Sequence, residues 1–227
     1  MIYKPVSLTE SQIGKYVDIN GDGIPEGVIF ADLAVGGDKL WNGIPNTRYR
    51  YEKSSKELKE YVVVGTYTHA LNGKREMLTP ILDGEDRFYI MALNDVGKDE
   101  HCWYHKASFK GMLDYEKATS ETFGSGKQNT LNMIEKWNKE DYGTQNSDDM
   151  WSLIQEQVDD GWFVPSIREW CAFAEELHIN LGRETADSYW SSSQRDKITS
   201  FGIDFKVGDF FITTTDVPYS IRLAKTI

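Results

Sequence analysis

Hydrophobic positions in this chain recur at two spacings, and the change from one to the other marks out its second half. Between Thr130 and Lys139, Leu131, Ile134 and Trp137 fall three apart, which predicts a helix capped by Thr130 or Asn129. A second helix is predicted from Ser166 to His178. Ser166 is its N-cap, Glu169 completes a capping box, and Trp170, Phe173, Ala174 and Leu177 form its apolar stripe. Gly182 lies just past its expected end. The period then drops to two. Phe201, Ile203 and Phe205 alternate with Gly202, Asp204 and Lys206, as in a half-buried strand. Val207-Gly208-Asp209 turns the chain, and Phe210, Ile212 and Thr214 alternate with Phe211, Thr213 and Thr215. Ile221-Arg222-Leu223 predicts a last strand.

The first half reads as strands and turns. Two strand-like runs between Gly14 and Ala34 flank Asn20-Gly21-Asp22-Gly23, residues that tolerate positive φ. Tyr61–Tyr67 predicts a buried strand followed by an Asn72-Gly73 turn, and Arg87–Leu93 predicts another. Tyr49–Lys59 is polar and suits a surface loop or helix. The fold class expected is α+β, with short antiparallel sheets and two main helices. An N-terminal β-rich part over 1–125 would precede a core over 126–227.

Charge removes several partners. Lys and Arg number 25 against 36 Asp and Glu, a net charge of -11. Such a chain repels phosphate backbones and anionic bilayers, so nucleic acid is not an expected partner, nor is membrane insertion. Cationic, neutral and glycan ligands remain. No window is apolar enough for a membrane helix. The start, MIYKPVSLTE, has neither an apolar run nor a small-residue cleavage site, so no signal peptide is expected. Two cysteines, Cys102 and Cys171, are too few for a disulfide framework and read as buried thiols.

Some motifs carry chemistry on their face. Asp18, Asn20 and Asp22, with Gly23 in sixth place, match the first half of a calcium loop. Ile29 stands where that loop needs its bidentate Glu, and Glu26 offers a partial substitute. The same residues also make an ordinary Gly/Asn turn between strands, and both readings stand at this point. His101 and His105 have the spacing of zinc ligands on a helix, but HCWYH lies among aromatics with no third ligand nearby. Gly124-Ser125-Gly126-Lys127 lacks the earlier Gly and the final Ser/Thr of a phosphate loop. Ser191, Ser192 and Ser193 have no nucleophile elbow around them, and suit a buried turn whose hydroxyls satisfy backbone groups.

Gly161-Trp162-Phe163-Val164-Pro165-Ser166, the helix after it, Tyr189-Trp190-Ser191-Ser192-Ser193 and Ile221-Arg222-Leu223 occur in a recognisable order. The order resembles C-type-lectin-fold modules of the formylglycine-generating-enzyme type. DINGDGIPEGVIFADLAVGG, DRFYIMALNDV, TFGSGKQNT and GWFVPSIREWCAFA further resemble variable proteins of diversity-generating retroelements from gut bacteria and their phages. The resemblance implies a C-type-lectin-like core over 126–227 whose region from about 189 to 227 presents a rewritable surface. It matches Arg195, Asp196, Ile198, Gly202, Asp204, Val207, Asp209, Phe211, Thr213 and Tyr219 to the ligand-contacting positions. Trp162, Phe163, Trp170 and Trp190 would anchor the scaffold.

The expectation is a non-enzymatic binding protein on a phage tail or bacterial surface, meeting a protein or glycan on a target cell. It would carry no cofactor, calcium apart. The alternatives are an oxidase of the same superfamily, which needs paired cysteines near the C-terminal end where this chain has none, and a purely structural virion component.

Overall fold

The computed structural model describes residues 10–20, 22–32, 67–71, 74–78, 86–106, 110–176, 188–205 and 209–227. Among these, only the backbone is described for 67–71, 74–78, 175–176 and 209. The fold is α+β, with helices and antiparallel sheets. The chain divides into two compact units. The first comprises Met1–Asn94, Ala172–Ile179 and Ala224–Ile227; the second comprises Asp95–Cys171 and Asn180–Leu223. The expected boundary after residue 125 therefore falls inside the second unit.

In the first unit, β1 (Tyr16–Val17), β2 (Gly27–Asp32), β5 (Phe88–Ala92) and β12 (Ala224–Thr226) neighbour one another in that order, all antiparallel. Ile29, Phe30 and Ala31 are fully buried, so β2 is covered on both faces, as its unbroken apolar run requires. Phe30 meets Tyr89 and Phe173 edge-on. At the end of β2, Asp32 accepts two bonds from the Arg87 guanidinium, at 2.7 and 2.9 Å, and one from the Gln12 N–H. Both charged groups are buried. A separate hairpin joins β3 (Tyr67–Leu71) to β4 (Lys74–Leu78) around positions 72 and 73. The turn is where the sequence puts it, while the strand extends beyond Tyr67. The expected run before Tyr67 lies outside the described residues, as does the segment Tyr49–Lys59.

The second unit is built on tryptophans. Trp103, Trp151, Trp170 and Trp190 are fully buried, and Trp103 meets Trp151 edge-on with ring centroids 5.0 Å apart. Burying an indole leaves an N–H to satisfy. Trp103 donates to Ser191 O, Trp170 to Trp190 O, Trp190 to His101 O and Trp137 to the Asp149 carboxylate. Of the expected anchors, Phe163 is buried, whereas Trp162, beside it in β7 (Trp162–Phe163), is half-buried.

Five helices are described. Three are short: α1 (Tyr115–Ala118), α3 (Met150–Leu153) and α4 (Gln155–Asp159). The longest, α2 (Gly126–Asn138), starts four residues before the predicted Thr130. Its buried stripe is Gly126, Asn129, Thr130, Met133 and Trp137, and Leu131 faces solvent. Buried polar groups mislead a reading by hydrophobicity: Thr130 Oγ1 bonds Gly126 O, and Asn129 Nδ2 bonds Ser120 O. In α5 (Ile167–Glu176) the expected capping box forms. Ser166 N–H donates to Glu169 Oε2 at 2.6 Å, and Glu169 N–H to Ser166 Oγ at 3.3 Å. Trp170, Phe173 and Ala174 are buried as expected.

The C-terminal sheet has the order β10 (Asp209–Thr214), β9 (Thr199–Asp204), β8 (Ser188–Gln194). β8 is a strand where the sequence suggested a turn. The residues from Trp190 to Gln194 span only Gly202 to Ser200 on β9, so β8 bulges across its serines. Those hydroxyls serve the backbone: Ser191 Oγ donates to Phe201 O, Ser193 Oγ donates to Ser120 O and accepts from Ile167 N–H. Pro218–Tyr219 forms β11, paired with β6 (His101–Cys102). The final strand is Ala224–Thr226, just past the predicted Ile221–Leu223. Ile221 and Leu223 instead join the buried core of the second unit.

Candidate functional site

Register decides which side chains of the terminal sheet share a face. Trp190 pairs with Gly202, and Gly202 with Phe211, so these three lie in one row. Tyr189, Ile203 and Phe210 form the matching row on the opposite face. Tyr219, placed by the β11–β6 pairing, closes on the first row. Its ring centroid is 4.7 Å from Phe211 and 5.0 Å from Trp190, the latter edge-on. The result is an aromatic cluster with a buried floor, Trp190, and two half-buried rings, Phe211 and Tyr219. Burial pushes the Tyr219 phenol above its ordinary value; the charges of Glu100 and Asp204 push the same way, and a hydrogen bond with Thr213 opposes them.

Of the residues matched to ligand contacts, Gly202, Phe211, Thr213 and Tyr219 come together here, and Asp204 ends β9 two residues from Gly202. Gly202 needs correcting from a contact position to a framework one. It is buried, and a Cβ there would stand 2.3 Å from the Phe211 ring and 2.7 Å from Tyr189 O. The ring of Phe211 lies where any side chain at 202 would go.

Arg195, Asp196 and Ile198 sit apart from the rings, in the β8–β9 turn. Arg195 and Ile198 are exposed. Asp196 is half-buried, its carboxylate accepting from the Ile198 and Thr199 N–H groups. Val207 lies outside the described residues. Asp209 is described by its backbone, opposite Asp204 in register. The alternation expected in β10 also fails at one position: Ile212, read as inward, is 47% exposed, because β10 is an edge strand.

Sequence reasoning missed the part played by Glu100 and His101. His101 pairs with Tyr219 across more than a hundred residues of chain, and nothing local to HCWYH announces that partner. The helical His pair does not form: His101 is in β6, and His105 follows that strand with its N–H on Asp149. Cys102 and Cys171 are both free and buried.

The Asp18 loop belongs to the first unit. Asp18, Asp22 and Glu26 bring one carboxylate oxygen each within 4.8 Å of one another, the one such grouping of metal-ligating side chains among the described residues. Asp18 accepts from Gly23 N–H, Asp22 from Ile24 N–H, and Glu26 from Ile19 N–H. Asn20 turns its Oδ1 to Asp22 N–H. Three carboxylates in a tight loop are donors a hard cation accepts. Ile29 is fully buried in β2, so the twelfth position of a calcium loop is committed to the core, and Glu26 is the third carboxylate of the grouping.

The Gly124-Ser125-Gly126 turn does hold an acceptor, and that acceptor is an internal carboxyl group. Its Gly124 and Gly126 N–H groups donate to Glu169 Oε1 at 3.0 and 3.3 Å. Gly124 has φ of 89°, and a Cβ on Gly126 would fall 2.2 Å from Glu169 Oε2. Complete burial pushes the Glu169 carboxyl up to about 7, against the pull of its hydrogen bonds.

Among the described residues no helix is long and apolar enough to cross a membrane. No protein-family model matches the chain. No curated protein matches it either. Among solved structures it is similar to a fimbrial protein from Bacteroides ovatus, with 14% identity, 96% of this chain and 49% of that chain covered, and a TM-score of 0.49. The chain thus spans about half the length of that protein.

Proposed function

We propose that this is a non-enzymatic ligand-binding protein that recognises a protein or glycan on a target cell through the Phe211–Tyr219 face. In this reading the scaffold is C-type-lectin-like, of the kind diversified by retroelements, and is displayed on a phage tail or bacterial surface. The observation that carries the proposal is the aromatic pair itself. Two half-buried rings are held 4.7 Å apart over a glycine that admits no side chain and against a fully buried Trp190. Large rings fixed before binding contribute contact area without a further ordering cost, which is how a few residues come to dominate recognition.

The test uses intact bacterial cells as the probe. Phe211→Ala and Tyr219→Ala should each weaken cell binding by about tenfold or more. Each should cost the fold only about 1–2 kcal/mol, since the rings are half-buried. Undiminished cell binding by both variants, or loss of folding in both, would rule the surface out. Asp18, Asp22 and Glu26, with Asn20 beside them, support calcium as the ion of the first unit. Millimolar calcium should then raise the melting temperature by a few degrees, and Asp22→Asn should remove that rise.

A further inference from the structure

The turn from β8 to β9 is built around its own carboxylate. Asp196 Oδ1 accepts from the Ile198 and Thr199 N–H groups at 2.8 and 2.9 Å, and the Arg195 N–H closes on Thr199 O. With that carboxylate turned to the backbone, Arg195, Lys197 and Ile198 are left exposed. A second segment joins them. The Met112 N–H donates to Lys197 O at 2.9 Å, so Leu113 and Ile198, each one residue past a partner in that bond, lie on neighbouring stretches of chain. Leu113 is 87% exposed and Ile198 45%. Lys110, at the head of the same loop, is exposed as well.

The local charge runs against that of the molecule. Residues 110–113 and 195–198 hold three cations to one carboxylate, in a chain of net charge -11. None of Lys110, Arg195 and Lys197 makes an ion pair with a described carboxylate. Of the acidic groups that follow the loop, Asp114 is taken by the Lys136 ammonium and the Tyr142 hydroxyl, and exposed Glu116 is followed by exposed Lys117.

We infer that the β8–β9 turn and the loop 110–113 form a docking surface for an acidic segment of a partner protein. An apolar side chain of that segment covers Leu113 and Ile198, and its carboxylates meet Lys110, Arg195 and Lys197. A single exposed apolar residue needs no partner, but two side by side within a charged rim have the make-up of an interface. Complementary charge then selects the acidic partner. An anionic bilayer would meet the negative excess of the whole chain, whereas a short segment feels only charges within a screening length of about 8–10 Å. This surface is separate from the Phe211–Tyr219 face and does not depend on its role.

The probe is a blocked hexapeptide of alternating Glu and Leu, with its Gln and Leu counterpart as the neutral control, titrated calorimetrically against the full chain. The Glu peptide should bind about tenfold tighter, the combined effect of three exposed charge pairs. Raising salt from about 50 to about 500 mM should erase most of that preference. The paired change Arg195→Gln with Lys197→Gln should abolish it. Leu113→Ser with Ile198→Ser should instead weaken both peptides alike. Lys98→Gln with Lys127→Gln removes the same charge from exposed positions outside the surface and should leave the preference intact, as should Phe211→Ala. Equal binding of the two peptides overturns the inference, as does an equal loss in the Lys98 and Lys127 control. Without a peptide preference, a dimer that the Arg195 and Lys197 change dissolves reassigns the surface to a second copy, and binding to phosphatidylserine vesicles reassigns it to a membrane.

Discussion

At the end of β2, Asp32 meets a guanidinium; at the start of α5, Glu169 meets only N–H groups and a hydroxyl's neighbourhood. Both carboxylates are sealed from solvent. The first is held by a formal opposite charge, in a fork that also takes the Gln12 N–H. The second is held by dipoles from Gly124, Gly126 and Ser166, drawn from the starts of two helices. An ion pair and a cradle of dipoles satisfy the same geometry, but they fail differently. Losing a partner strands a charge in the first; in the second, the charge itself is the adjustable part.

The largest effect expected is at the ion pair. Arg87→Leu leaves the Asp32 carboxylate buried without its cation and should cost about 3–5 kcal/mol in a urea denaturation. Changing Arg87 and Asp32 together to apolar residues should recover much of that loss, since the stranded charge then disappears. A double variant no more stable than Arg87→Leu would show that the pair is not the cause.

Next is the pH profile of Glu169. Its folded value, about 7, lies above the ordinary 4.5, so the folded state binds this proton more tightly than the unfolded chain does. The resulting stability is fully present below 4.5 and is lost as pH rises through 7, a span on the order of 3 kcal/mol. Burial raises Asp149 too, so part of any such trend belongs to that residue. Glu169→Gln isolates the share of Glu169: it should flatten the profile around neutrality. At low pH it should also lower stability by about 1–3 kcal/mol, because an amide NH2 would face N–H donors, and that deficit should shrink as pH rises through 7. An unflattened profile would sink the assignment.

The smallest effect expected is steric. Gly126→Ala pushes a methyl against Glu169 Oε2 and lies 2.9 Å from the Ser166 N. It should cost about 1–3 kcal/mol, read as a lower melting temperature. If the cradle is as tight as the distances imply, combining Gly126→Ala with Glu169→Gln should cost less than the sum of the two.

Much of this was legible where the signal is local. The capping box at Ser166 and the hairpin around positions 72 and 73 each depend on residues within a few places of one another, whereas the half-buried alternation expected from Phe201 to Phe205 fails because Ser200 and Gly202 are buried as well. Legibility ended where distant chain decides. The stripe of α2 was misread because its buried polar residues find partners far along the sequence, as Asn129 does with Ser192. Likewise β8 looked like a turn because its serines are polar, although strand contacts bury them. At the candidate site the sequence supplied Phe211, Thr213 and Tyr219. It gave no sign that Gly202 is filled by its neighbour's ring, or that Glu100 stands beside them, since only pairing with β6 brings that about.

The Gly202–Phe211 contact also sets rules for anyone randomising this surface. A combinatorial library that opens codon 202 would discard nearly all its clones to misfolding, since only glycine leaves space for the phenyl group. Cutting codon 211 down to alanine does not make position 202 writable, because the Tyr189 carbonyl oxygen still stands 2.7 Å from where a Cβ would go. Codon 202 should therefore stay fixed as glycine while codon 211 is varied.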